Sequence, residues 1–272
     1  MGFEYEDVKL VLWALKPRQQ RRELLILGDA IFHVDAQTYA SLAKQMGFLL
    51  ASAPAKLDPF TFGDSLGFDK THTLDVNGRA SLNVNLHDPA PDDLVGRFDC
   101  LIDAGVLFWC FDPAAAFKSI LSMVKPGGLI VHISAVSGHY GRGYYNIHPL
   151  AFEDFYIGNG CQFVGASFRT KFRTWSLLDR ALRKLGLGNH VAYCLEPGSA
   201  YLRDSTFNRI SFSDHFRQPF ERNILPNNVV GVMIYRKVSP GPIALPVRTT
   251  LYGPAEAQAR RAQAVRSTPP RG

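Results

Sequence analysis

Residues 98–134 read FDCLIDAGVLFWCFDPAAAFKSILSMVKPGGLIVHIS, and this run decides the fold. Phe98–Asp103 is a mostly apolar strand candidate closing on an aspartate, and Leu129–Ile133 is a second buried strand. Between them Asp112–Val124 (DPAAAFKSILSMV) is patterned as an amphipathic helix. Lys125-Pro126-Gly127-Gly128 then reads as a helix stop with a tight turn. Strand, helix and strand at this spacing make a βαβ unit, the building block of a parallel sheet.

Upstream, Arg21–Asp29 (RRELLILGD) is a charged lead into an uninterrupted apolar run, the pattern of a first strand buried on both faces. Ala36–Met46 places Tyr39, Leu42 and Met46 at helical spacing with Asp35 as N-cap. Residues 51–70 show no clear period, with room for one short helix at Pro59–Leu66. Thr71–Val76 and Ala80–Leu86 read as two short strands. Downstream, the pattern predicts a helix over Pro149–Asn159, a strand over Gln162–Ser167, a basic amphipathic helix over Arg173–Leu185 and a final strand over Asn228–Lys237. The alternation predicts a Rossmann-like α/β fold with a doubly wound, mostly parallel sheet of seven strands. Residues 1–20 form an N-terminal helical extension in this reading and 21–238 the domain, with 169–226 a lid by position. Residues 239–272 read as an irregular tail with one short helix at Ala255–Val265.

The chain has 272 residues, 46% of them hydrophobic, enough for one domain with a sizeable core. Its start carries acidic residues before the short apolar run Leu10–Leu15, unlike a secretion signal, and no apolar stretch approaches the roughly 20 residues that cross a bilayer. A cytoplasmic protein without membrane contact is therefore expected. Cys100, Cys110, Cys161 and Cys194 lie far apart with no C-x-x-C pair, which points to reduced core thiols. The net charge of +6 draws on the basic residues 169–184 and on Arg260, Arg261, Arg266 and Arg271. It suits an anionic partner or a solvated basic face, and no nucleic-acid motif accompanies it. The histidines show no metal-ligand spacing. The chain has no G-x-S-x-G, P-loop or H-E-x-x-H, which disfavours hydrolases and kinases, and no G-x-G-x-x-G of a nicotinamide-binding enzyme.

In an open α/β sheet, ligands sit at the carboxyl ends of the strands, near the switch in strand order. The residues there are Gly28-Asp29, Asp75, Asn85 and Asp103–Trp109. A nucleoside cofactor needs an acid for its ribose hydroxyls, an amide or carboxylate for the adenine amine and a close approach at glycine. All three kinds are present, though glycine and aspartate are also ordinary turn residues.

The 98–134 run resembles the fourth strand, following helix and fifth strand of class I S-adenosylmethionine-dependent methyltransferases. It is most similar to a bacterial subgroup common in polysaccharide and secondary-metabolite pathways. GHYGRGYYNIHPLAFEDFY (138–156) resembles the same subgroup, where an H-G-x-Y-like loop precedes a helix beginning near a proline. The resemblance implies S-adenosylmethionine as cofactor and methyl transfer to a small-molecule or sugar-linked acceptor, and the basic and aromatic content of 169–226 would suit an anionic one. Gly28 and Asp29 then stand at the glycine-rich motif I, although G-D-A-I-F replaces G-x-G-x-G. Asp75 would hold the ribose, Asn85 and Leu86 would face adenine, and Asp103, Gly105 and Val106 would line the methionine side.

Phe108-Trp109 departs further, because related sequences often carry Glu-His there. Phe108 is assigned to the cofactor and Trp109 to the acceptor, since aromatic faces hold a sulfonium by cation–π attraction or stack on a flat acceptor. The same two rings can equally plug the pocket. Methyl transfer gains most from holding the reactants in line, and a general base helps when the acceptor is a hydroxyl or amine. His139 in the glycine-flanked loop is the preferred base and His132 the second candidate, the latter also readable as a hydrogen-bonded core histidine. Tyr140, Tyr144, Tyr145 and Asn146 are the acceptor-positioning candidates. The competing reading is a non-catalytic pseudo-methyltransferase serving as a binding or scaffold subunit, and use of the sulfonium for cyclisation stays open.

Overall fold

The computed structural model describes residues 2–15, 21–50, 53–139, 141–170, 193–194 and 229–246. Tyr140, Cys194's side chain, the predicted helices at 173–185 and 255–265, and most of the predicted lid and tail lie outside the described residues.

Among the described residues, ten strands and five α-helices run β1 (Gly2–Phe3), α1 (Tyr5–Leu15), β2 (Glu23–Leu27), β3 (Ile31–Phe32), α2 (Ala36–Gln45), α3 (Pro59–Ser65), β4 (Lys70–Asp75), β5 (Leu82–Asn83), β6 (Phe98–Asp103), α4 (Pro113–Met123), β7 (Val124–Ser137), α5 (Pro149–Gly158), β8 (Cys161–Thr170), β9 (Tyr193–Cys194) and β10 (Val229–Lys237). The main sheet has the order β5-β4-β2-β6-β7-β10-β8-β9. Neighbours are parallel from β5 to β7 and antiparallel from β7 to β9. The seven expected strands are therefore present in a mostly parallel doubly wound array, and β9 adds an eighth at one edge.

Strand alternation assigns the two faces. Leu24 and Ile26 join Cys100, Ile102 and Val131 in one apolar cluster with α1, α2 and α3. Leu25 and Leu27 join Leu101 and Ile130 in the other, with α4 and α5. The protein is thus three layers, helices on both sides of the sheet. Residues set apart in sequence as an extension belong to this core: Val8, Leu10, Val11, Leu12 and Leu15 of α1 are fully buried, each such side chain contributing roughly 1.5–3 kcal/mol by leaving water.

Three local expectations are corrected. The strand expected over Ala80–Leu86 shrinks to Leu82–Asn83, because side chains replace part of the ladder: the Thr73 amide donates to Ser81 Oγ (2.8 Å) and the Ser81 amide to Thr73 Oγ1 (3.0 Å). Lys125–Gly128 does not turn between helix and strand. It lies inside β7, where Val124 already pairs with Phe98 and the register shifts before Cys100 pairs Leu129, as in a β-bulge. Gly127 supplies a φ of 78° there, and a Cβ on Gly128 would lie 2.3 Å from the Val124 side chain. Lys237 meanwhile donates to the carbonyls of Leu121 and Val124 (3.0 and 2.8 Å), ending α4 from a distant strand. Finally, β1 and β3 form a parallel pair that sequence pattern missed, sealed by the stacked rings of Phe3 and Phe32 at 4.5 Å.

Candidate functional site

The sheet reverses its order between β2 and β6, so the ligand crevice of this topology opens where Gly28 and Asp103–Val106 leave those strands. Gly28 adopts φ +81°, and a Cβ placed on it would meet Val106 Cγ2 at 2.6 Å. The Val106 methyl therefore packs directly on the Gly28 backbone across the switch point. Gly28's amide donates to the Leu74 carbonyl (2.8 Å), tying this end to β4.

The next residues do not form a phosphate-type glycine loop. Asp29 is exposed and pairs with Arg79 at 3.1 Å across the ends of β2 and β4. Ile31–Phe32 are taken up by β1, and α2 starts only at Ala36, its N-terminus closed by Asp35 accepting from the Thr38 amide at 2.8 Å. The segment that follows β2 packs instead against the N-terminal strand.

Asp75 closes β4, where its Oδ1 accepts from the amides of Val76 (2.6 Å) and Asn77 (3.2 Å). Both of these bonds fall on one carboxylate oxygen of a half-buried side chain, and a carboxylate has further acceptor capacity for a hydroxyl. Asn85 lies beyond the edge strand, exposed, accepting from the His87 amide (3.1 Å). Its neighbour Leu86 is 3% exposed and packs into the α4/α5-side core, so the Leu86 side chain is directed away from the adenine role expected of it.

On the β6 side the polar groups are sealed. Asp103 Oδ1 accepts from the amides of Gly105 (3.0 Å), Val106 (2.6 Å) and Leu107 (3.3 Å), fixing the turn that leaves the strand. Its Oδ2 accepts from His132 Nδ1 (2.9 Å), and the Tyr156 hydroxyl donates to His132 Nε2 (2.6 Å), the tautomer that satisfies every group. Burial pushes the Tyr156 phenol well above its ordinary value, with Cys161, Asp103 and Tyr235 acting the same way, so it remains a donor. Asp103, His132 and Tyr156 are all fully buried, and the His132 ring is enclosed by Phe117, Phe152 and Tyr156. His132 therefore stands beneath the edge as a positioning residue, with neither nitrogen open to an acceptor. Asp103 likewise holds backbone where a cofactor contact was expected of it.

Phe108 is 2% exposed and belongs to the core, whereas Trp109 is 52% exposed, with ring centroids 5.8 Å apart. One ring is packed in the core; its neighbour is exposed. The loop after β7 docks on this turn: the amides of Tyr144 and Tyr145 donate to the Phe108 carbonyl (2.9 and 3.3 Å), and a Cβ on Gly143 would strike the Phe108 ring at 2.2 Å. Asn146 is exposed beside them. His139, buried at 4% exposure, holds φ 59°, the one non-glycine left-handed residue among those described. Such backbone persists only where surroundings enforce it and recurs at functional sites.

The structure thus brings together Gly28 with Val106, Asp103 with His132, and Phe108 with Trp109, Tyr144 and Tyr145. Asp29 and Asn85 remain out on the surface. Tyr156, Arg79 and Phe111 were missed. A histidine inside an apolar strand demands a polar partner, and that signal, with Phe152 and Tyr156 one helical turn apart, could have found Tyr156. The thiols of Cys110 and Cys161 are pushed up to about 12 by burial, unsuited to nucleophilic work. Among the described residues, no group of three or more histidine, cysteine or acidic side chains could hold a metal ion, and no helix is long and apolar enough to cross a membrane.

The chain matches no protein-family model and no curated protein. Among solved structures it is similar to an S-adenosylmethionine-dependent methyltransferase from Archaeoglobus fulgidus, at 14% identity and a TM-score of 0.41, over 86% of this chain and 95% of that one. It is also similar to an S-adenosylmethionine-dependent methyltransferase from Mesorhizobium loti, at 11% identity and a TM-score of 0.38, over 84% and 96% of the two chains. A third is the branched-chain polyamine synthase of Thermus thermophilus, solved with N4-aminopropylspermidine and 5'-methylthioadenosine. There the identity is 13% and the TM-score 0.38, over 89% of this chain and 59% of that one. By its strand order and its mixed sheet, the chain has a Rossmann-like, class I methyltransferase-like fold.

Proposed function

We propose that the protein is an S-adenosylmethionine-dependent methyltransferase acting on a small-molecule or sugar-linked acceptor, working in the cytoplasm in a biosynthetic pathway. The observation that carries the reading is Asp75, half-buried at the end of the strand next to the first, with both of its turn bonds on one carboxylate oxygen, beside a switch point flanked by Gly28 and Gly105. An acid there suits ribose hydroxyls, and glycine backbone suits close approach. The cofactor, when bound, supplies an electrophilic methyl on a sulfonium. This chain's own residues then hold the nucleoside through Asp75, exclude water with Phe108, and orient the acceptor against Trp109, Tyr144, Tyr145 and Asn146. His139 is the base in this reading, placed in the loop that those tyrosines anchor. Three buried free cysteines accord with a reducing compartment.

A non-catalytic binding protein is favoured by one specific observation: the Val106 methyl already occupies the space above Gly28. Isothermal titration with S-adenosylmethionine and S-adenosylhomocysteine separates the two readings. Saturable heat at micromolar ligand supports the enzyme. Its absence at high micromolar ligand, for folded protein, hands the site to the second reading.

A further inference from the structure

Four large aromatic side chains stand in solvent at one place on the carboxyl edge: Trp109 is 52% exposed, Phe111 69%, Tyr144 65% and Tyr145 39%. They come from two segments more than thirty positions apart in sequence, held together by backbone. Both tyrosine amides donate to the Phe108 carbonyl, and the Tyr145 hydroxyl donates to the Phe111 carbonyl at 3.0 Å. Gly143 lies so close to the Phe108 ring that no side chain fits between them. Phe111 and Tyr144 meet at 86° with centroids 5.6 Å apart, so a ring face and a ring edge form a corner. Soluble surfaces rarely gather exposed aromatics in this way without a ligand to cover them. The rim is polar, with Asp112, Arg142, Asn146 and His148 all exposed.

We propose that this corner binds the acceptor through a flat ring, stacked on one aromatic wall with its rim against the other, and that ring-bearing molecules are the substrate class. The assignment rests on the methyltransferase reading of the neighbouring switch point. Its chemistry is that of an apolar ring face with polar substituents, which a sugar and a phenol share. Aromatic walls take the C–H face of a pyranose or the π-face of an arene, while the rim meets hydroxyl or acidic groups. Phe111, absent from the sequence-level candidates, becomes a specificity-determining residue.

Ligand-detected NMR titration tests this with phenyl β-glucoside, methyl β-glucoside and p-cresol as probes, and sorbitol as a polyol of similar polarity without a ring. Saturable binding of phenyl glucoside, none of sorbitol, and a roughly tenfold loss in each of Phe111→Ala and Tyr144→Ala are expected, about what one lost stacking contact removes. Both side chains are exposed, so the variants fold. Gly143→Ala, which displaces the tyrosines without deleting an aromatic, is expected to lose binding too. Whichever one-ring probe binds names the source, sugar or arene. The proposal is overturned if no ring probe saturates, or if Phe111→Ala and Tyr144→Ala bind as tightly as the wild type. S-adenosylhomocysteine titrated into the same proteins keeps the two ideas apart. Cofactor binding without ring binding defeats only the corner, and ring binding without cofactor binding defeats only the methyltransferase reading.

Discussion

The two halves of the carboxyl edge are built on opposite principles. At the ends of β2 and β4 the acids are outward: Asp29 pairs with Arg79 in solvent, and Asp75 closes its own turn. At the ends of β6 and β7 the strand-end polar groups turn inward, with Asp103, His132 and Tyr156 forming a fully buried chain. The first half can exchange its partners for a ligand at little cost, because water already competes for them. The second cannot, since a buried charge stripped of its partner stays uncompensated. What the second half offers outward is an aromatic corner with a polar rim. The division suits a nucleoside on one side and a stacked acceptor on the other.

The contrast breaks most visibly at His132. His132→Ala removes the donor to Asp103 Oδ2 and empties the space enclosed by Phe117, Phe152 and Tyr156, and is expected to cost about 3–5 kcal/mol, read by urea unfolding. Tyr156→Phe removes only the donor to Nε2 and should cost about 1–3 kcal/mol in the same assay. A loss below the error of the assay in both would show the chain to be incidental. At the switch point, Gly28→Ala forces a left-handed alanine, costing about 1–2 kcal/mol, and drives its Cβ into Val106. Adding Val106→Ala should recover part of that loss, a coupling that a double-mutant cycle measures. Strict additivity would mean the two residues do not touch.

The smallest expected effect lies at the opposite end of the sheet, where Glu23 accepts from Arg97 Nε (2.7 Å) and meets His72 Nε2 (3.0 Å). Burial first, then the Arg97 charge, lowers the His72 pKa from 6.5. Below the unfolded value, the unfolded chain binds a proton that the folded chain resists, so stability falls as pH drops through that range. Burial works to raise the Glu23 pKa, but the bonds and charges of Arg97 and His72 outweigh it and hold it down. Its stability is therefore present above the usual carboxylate range and is lost as pH falls through its folded value. In chemical denaturation at stepped pH, His72→Gln should flatten the upper part of the decline and leave the lower part. An unchanged profile would remove His72 as the cause.

Most of the fold was legible, because apolar runs such as Glu23–Leu27 and Phe98–Asp103 can be buried only on both faces of a sheet. What escaped depended on partners remote in sequence. Lys125–Gly128 reads as a turn until Phe98 is known to pair with Val124. Ile31–Phe32 are a strand only because the N-terminus reaches them. At the site, the strand-end acids were found by position, but their roles were not. Asp103 looked like a ligand contact, and only its three amide donors and His132 show it to be spent inside the fold. Phe108 and Trp109 were assigned to cofactor and acceptor with no sign of which would be buried, and the geometry of one turn sends the first inward and the second outward.

The central claim is that the half ending β2 and β4 takes the nucleoside, and calorimetric titration of S-adenosylhomocysteine into wild type, Asp75→Ala and Val106→Ala tests it most directly. Losing a hydrogen bond to a charged group is worth about 1.5–3 kcal/mol. Asp75→Ala, which also gives up the two amide bonds of its own turn, should accordingly weaken binding roughly tenfold or more in a protein that still unfolds cooperatively, while Val106→Ala should bind at least as well as the wild type. Equal affinity in the wild type and Asp75→Ala would contradict the account.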